Sequence, residues 1–314
     1  MINGLISVMV VFVLLGVGFY FTYTSKWPDN TNQVFSTAVV KIAAPSLAVI
    51  SIAHRFTPEL LISAFWNLIL ITVTIFIMHL IGQLFSRIFH LEPKKKAVFI
   101  TTFTFNNTMF IGLPINHIVF GDDGLPYLFT FYLVTITLFW SLGAFTLSRA
   151  SDKADTGFSI RKIFSPGLVG VIIGCLLAGF QITLPVILDT SLTYLGNLTV
   201  PLSLLVIGSN LAFSYIHGIP RISRDKIAIL VGKFVLHPLL IWGIFSLVGA
   251  LGWLNVTGLP LHVFILTASL PCHAQTAIVA QYYEVEGEYA SGLVSLSTLI
   301  SLITIPLYAG ILLS

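Results

Sequence analysis

Ten long apolar runs leave this chain very few ways to fold. They cover approximately residues 4–24, 33–53, 61–86, 96–118, 125–148, 164–184, 190–214, 226–250, 259–283 and 288–313. About 20 apolar residues wound as a helix cross the roughly 30 Å hydrocarbon layer of a bilayer. Only 9% of residues are charged, against about 25% in soluble domains, so the segments are read as membrane helices and the chain as an all-α, polytopic membrane protein. The connections are short, the longest being near residues 149–163, which leaves no room for a soluble domain. No Lys or Arg precedes the run from Leu5 to Tyr23. That run is therefore expected to be a retained first span and not a cleaved signal peptide.

Charge in the connections sets orientation. Lys26, Arg87, Lys94, Lys95, Lys96, Arg149, Lys153, Arg161, Lys162, Arg221, Arg224 and Lys226 fall on one side of the membrane, and Arg55 alone on the other. The positive-inside rule makes the first side cytoplasmic. Both termini are then extracytoplasmic, as expected for a multi-pass protein of the cell (inner) membrane.

The second five segments echo the first. Ala44-Pro45-Ser46-Leu47 answers Val200-Pro201-Leu202-Ser203-Leu204, and Val98-Phe99-Ile100 in span 4 answers Val263-Phe264-Ile265 in span 9. With this offset of 165, Asn106 falls on Pro271. An odd number of spans per copy turns the second copy upside down, the inverted-repeat plan of many secondary transporters. The expected units are a first five-helix repeat at 1–148, a cytoplasmic connection at 149–163 and an inverted repeat at 164–314.

Both echoing spans carry helix-breaking residues at mid-membrane depth. Span 4 reads Phe-Asn-Asn-Thr-Met-Phe-Ile-Gly-Leu-Pro-Ile-Asn from Phe105 to Asn116, and span 9 reads Ser-Leu-Pro-Cys-His from Ser269 to His273. Irregular backbone at that depth survives only where protein buries it or it lines a cavity. Helices 4 and 9 are therefore expected to be broken and crossed, with two half-helix N-termini offering free N–H groups and positive dipole ends to an anion. Asn106, Asn107, Thr108, His273, Gln275 and Lys233 are the candidate substrate-binding residues. Amides donate and accept, so they orient a carboxylate without a buried permanent charge. Gly112, Pro114 and Pro271 are the candidate helix-breaking residues, the prolines by lacking a donor. The plainer readings are that amides glue helices together and that a lone His packs. Lys41 and Lys233 first read as snorkelling side chains; the alternative is that Lys233, just before His237-Pro238, draws anions into an inward-facing vestibule.

What is missing also informs. All twelve acidic residues fall in loops or at span ends, so no carboxylate is placed to carry a proton or sodium ion across the middle. An anion moved by its own gradient or by the membrane potential needs none. His54, His79, His117 and His237 have no metal-site spacing, and Cys175 and Cys272 both sit in apolar spans. No cofactor and no metal is expected. A formal charge of +3 is too small to imply a nucleic-acid partner. An intramembrane enzyme would need a nucleophile with a base and an orienting group, and Ser269 and His273 lack the third member. A channel would show a repeated filter, which the sequence does not.

Several motifs taken together resemble the auxin efflux carrier family of transporters, in a prokaryotic form. They are Asn107-Thr-Met-Phe-Ile-Gly-Leu-Pro114 followed by Phe120-Gly121, Pro201-Leu-Ser-Leu-Leu-Val-Ile-Gly208 with Asn210-Leu211-Ala212, Lys233 with His237-Pro238-Leu239-Leu240, and Pro271 through Tyr283 continuing into Ser297-Thr298-Leu299 and Pro306-Leu307. The resemblance implies ten spans in two inverted repeats, a fold related to bile-acid sodium symporters, and movement of small organic acids such as malonate, malate or auxin-like carboxylates. The chain lacks the long cytoplasmic loop of the large plant members. It also has Cys272-His273 where members often carry a small residue or asparagine after the proline. The expectation is an alternating-access carrier with a small organic acid and the lipid bilayer as its partners. Spans 1, 2, 6 and 7 would form a scaffold that also suits a homodimer contact. A proton- or sodium-coupled symporter of the same fold is the alternative.

Overall fold

The computed structural model describes residues 2–28, 30–56, 58–152, 165–218, 222–253 and 256–313. Most of the connection at 149–163 lies outside these, as do Lys153, Arg161, Lys162 and Arg221.

The described chain is helical, with no strand among the described residues. In order the helices are α1 (Ile2–Tyr23), α2 (Thr31–Ala38), α3 (Ala44–Arg55), α4 (Pro58–Ile88), α5 (Pro93–Thr104), α6 (Leu113–Phe120), α7 (Leu125–Leu138), α8 (Ala144–Arg149), α9 (Pro166–Gly179) and α10 (Val186–Asn197). Then come α11 (Thr199–His217), α12 (Arg224–Val231), α13 (His237–Ala250), α14 (Leu259–Ala268), α15 (Gln275–Tyr282) and α16 (Gly287–Leu312). Single π-helical turns at Val39–Ala43, Phe139–Gly143 and Gly232–Leu236 join α2 to α3, α7 to α8 and α12 to α13. Among the described residues, six stretches are long and apolar enough to cross a membrane: Thr31–Arg55, Ala64–Ile88, Asp122–Arg149, Val186–Ile216, Arg224–Ala250 and Gly287–Leu312. Shorter apolar helices, among them Thr108–Phe120 and Leu259–Ala268, accompany them.

The helices sort into two bodies. The smaller holds α1–α3 and α9–α11, with α1 lying along α11 and α3 along α9. Gly18 and Gly208 make the first contact possible, since a Cβ at Gly208 would stand 2.1 Å from the Leu15 carbonyl oxygen and one at Gly18 2.3 Å from that of Leu205. The larger body, α4–α8 with α12–α16, shares one apolar core running through Met78, Phe99, Phe103, Phe131, Phe139, Phe245 and Phe264. At one end of it, Asp225 receives Lys95 at 3.0 Å and the Tyr289 hydroxyl at 2.5 Å, tying α12 to α5 and α16. Two further apolar clusters, around Leu128 and Phe129 and around Leu204 and Leu270, fill the seam between the bodies.

Candidate functional site

Two of the apolar runs are interrupted inside the larger body. The helix that enters as α5 stops at Thr104 and resumes at a π-helical turn, Thr108–Gly112, that runs into α6; α14 stops at Ala268 and α15 starts at Gln275. The first interruption is narrower than the stretch to Asn116 suggested. Gly112 and Pro114 stand not in the gap but inside the resumed helix Thr108–Phe120, Gly112 with ordinary helical φ and ψ and Pro114 just past the π-helical turn. A side chain at Gly112 would press within 2.6 Å of the Leu270 side chain, so glycine here admits the second broken helix.

The two gaps satisfy each other's backbone. Asn107 N–H donates to Pro271 C=O at 2.9 Å, and His273 N–H donates to Phe105 C=O at 3.1 Å. They form an isolated antiparallel bridge between Asn106 and Cys272. Unpaired main-chain groups in a membrane interior cost several kcal/mol each, so this pairing makes two breaks tolerable where one alone would not be.

Lys233 closes the crossing from behind. It does not snorkel: its side chain is 0% exposed, and its ammonium donates to the Phe105 carbonyl at 2.7 Å and to Asn106 Oδ1. The reason is local. Lys233 sits in the π-helical turn Gly232–Leu236, and Gly232 packs so tightly on the Phe103 ring that a Cβ would come within 2.3 Å of it. Pro238 follows and offers no N–H to the Phe234 carbonyl, which instead accepts from Tyr308 Oη at 2.6 Å. Lys41, by contrast, remains exposed. Asn106 is 1% exposed and its amide is fully engaged. Its Nδ2 donates to the carbonyls of Thr267 at 2.9 Å and Ala268 at 2.7 Å and lies 3.2 Å from His237 Nδ1.

The second gap is held more sparsely. Cys272 N–H donates to Ser297 Oγ at 3.1 Å. The His273 ring lies 4.4 Å from that of Phe139, which packs edge-on against Phe105. His273 Nδ1, Gln275 Oε1, Thr276 Oγ1 and, across the crossing, Thr108 Oγ1 are buried with no hydrogen-bond partner among the described residues. Each such atom costs about 1–3 kcal/mol, a concentration that a site built to receive a polar ligand would tolerate.

Beside the crossing lies a cavity of about 380 Å³, within the range of roughly 300–1,000 Å³ usual for small-molecule sites. Asn107, Phe110, Ala274 and Ala277 wall it from the larger body, and Asn32, Ile207 and Asn210 from the smaller. Asn107 also caps the half-helix that follows, its Oδ1 accepting from Phe110 N–H at 3.3 Å. Of the six residues singled out in the sequence, Asn107 lines this cavity; Asn106 and Lys233 lie behind it as the lock of the crossing. The sequence reading passed over His237 as a packing residue. Its spacing of four from Lys233, on one helical face, was the signal that could have linked the two.

Comparison with known proteins settles what kind of molecule this is. Residues 4–309 match the family model described as membrane transport protein. The chain belongs to that family. It is a membrane transporter and not an enzyme, in agreement with the resemblance to auxin efflux carriers. It is similar to uncharacterized transporters of two archaea, at 23% identity in Methanocaldococcus jannaschii over 98% of both chains and 25% in Methanothermobacter thermautotrophicus over 98% of this chain and 97% of that one. A Rhizobium meliloti protein provisionally named a malonate transporter is 29% identical over 48% of this chain and 44% of its own.

Proposed function

We propose that this family member is a secondary carrier that moves small organic acid anions by alternating access, driven by the substrate gradient or the membrane potential. Ten passes in two inverted five-helix repeats fit the helix order, if each interrupted pair, α5 with α6 and α14 with α15, makes one pass. The smaller body corresponds to spans 1, 2, 6 and 7 as scaffold, and the larger body is the part that moves. The observation that carries the reading is the cavity wall: Asn107 and Ala274, at the starts of the two resumed half-helices, face the same 380 Å³ space. Half-helix N-termini attract a carboxylate through free N–H groups and partial positive charge, and the Asn107 amide adds a directional donor. The malonate name on one relative favours a small carboxylate. Asn106, Lys233 and His237 position the crossing, while Thr108, His273, Gln275 and Thr276 supply polar atoms around it.

Counterflow of radiolabelled malonate, malate and an indole carboxylate in proteoliposomes tests this. Saturable counterflow of one of them is expected, and Asn107→Ala should cut it by at least about tenfold, since hydrogen bonds to charged groups contribute roughly 1.5–3 kcal/mol. Undiminished uptake in that variant would remove the site. Proton coupling is the second reading, favoured by the burial of one titratable ammonium, Lys233, at the crossing. Among the described residues no three His, Cys, Asp or Glu side chains could hold a metal ion together. Uptake driven by an imposed pH gradient would favour the coupled carrier.

A further inference from the structure

The face opposite the cavity is fastened by charge. Asn32 lines the cavity near the start of the 25-residue stretch Thr31–Arg55, and Arg55 ends it. At about 1.5 Å of rise per residue the two lie roughly 35 Å apart, at opposite membrane faces. The Arg55 guanidinium forks across two carboxylates, Nη2 to Asp122 Oδ2 at 3.0 Å and Nη1 to Asp123 Oδ1. His117 Nε2 holds the other Asp122 oxygen at 2.7 Å.

The fork crosses the seam between the bodies. Arg55 ends α3 in the smaller body; Asp122 and Asp123 sit in the turn between α6 and α7, and His117 is on α6, in the larger. A second pocket of about 260 Å³ lies at the same place, walled by Arg55 and Phe56 on one side and by Asp123, Pro126, Tyr127 and Leu259 on the other. The end of α3 is separately anchored to its own body, because His54 Nε2 meets Asp189 Oδ1 of α10 at 2.6 Å. Releasing the fork would leave Arg55 in place and free the turn that carries the two aspartates.

We propose that the Arg55–Asp122–Asp123 fork is the gate of this face: it holds the bodies together while the cavity opens on the other, and it must part before this face can open. The proposal rests on the alternating-access reading above. A forked guanidinium gives the contact a defined direction. Exposed ion pairs are individually weak, shifting a two-state balance only a few-fold, which suits a latch made and broken in every cycle.

The test is labelling of the cavity wall. Ser295→Cys, combined with Cys175→Ser, is reacted with a maleimide in purified protein held in nanodiscs. Arg55→Ala should slow this labelling by about two- to fivefold as molecules shift toward the opposite opening, and the exchanged pair Arg55→Asp with Asp123→Arg should recover part of the loss. An unchanged labelling rate in Arg55→Ala would overturn the gate. Independently, Arg55→Cys and Asp123→Cys joined by a short cleavable thiol cross-linker should stop carboxylate counterflow until the linker is cut; counterflow continuing in cross-linked protein would also overturn it. Labelling needs no substrate, so failure of every carboxylate in the unmodified protein would count against the substrate reading while labelling still decides the gate.

Discussion

The two interruptions share a backbone solution and differ in chemistry. The first spans only Phe105–Asn107 between helical residues, and its polar atoms are almost all engaged: Asn106 has four partners, and Asn107 caps the turn that follows. The second runs from Ser269 to Ala274; Ala274 leads into α15 with no side-chain cap, and His273, Gln275 and Thr276 keep buried atoms unpartnered. One gap thus carries the structural fastening and the other carries unspent hydrogen-bonding capacity. Two similar backbone devices have been given different work.

This contrast can be broken experimentally. The largest effect is expected for Lys233→Met, which leaves Asn106 Oδ1 buried without a donor and the Phe105 carbonyl with the His273 N–H alone. Thermal unfolding in detergent should report a loss of about 2–5 kcal/mol, with transport abolished. A variant as stable as the parent would show that the first gap does not depend on its lock. Asn106→Ala should follow, costing about 1.5–3 kcal/mol because Lys233 keeps only the Phe105 carbonyl, again with transport lost. If transport survives, Asn106 is dispensable to the crossing. The smallest stability change belongs to the second gap. Gln275→Ala and Thr276→Val remove atoms that have no partner to lose, so each should be neutral or stabilising by up to about 1 kcal/mol, while affinity for the transported acid weakens. A clear destabilisation would mean those atoms are already satisfied, and the contrast would fail.

Much of this arrangement was legible in the sequence. Helix limits follow the apolar runs within a few residues; the run at 226–250, for example, becomes Arg224–Ala250. The paired gaps were visible because Asn106-Asn107 and Pro271 are costly inside otherwise uniform apolar segments. The width of the first gap was not, because proline and glycine read alike whether they break a helix or, like Gly112 and Pro114, sit inside one beside a π-helical turn. Lys233 was misread for a different reason. Snorkelling is judged by distance from the helix end, but a π-helical turn and a glycine contact decide which way this side chain leaves its helix, and the glycine contact is with Phe103 of the neighbouring α5. His237 went unassigned since only that same tertiary contact joins it to Asn106. The charged fork at Arg55 needed the fold as well, because 67 residues separate Arg55 from Asp122.

The bridge between Asn106 and Cys272 constrains motion more than it constrains shape. Its two main-chain hydrogen bonds, at 2.9 and 3.1 Å, would part if one strand of the X slid even about 1 Å along the other. Both arms must therefore ride together, and under the proposed mechanism cargo gripped at their intersection would keep the same company throughout the journey while the scenery across the seam changes.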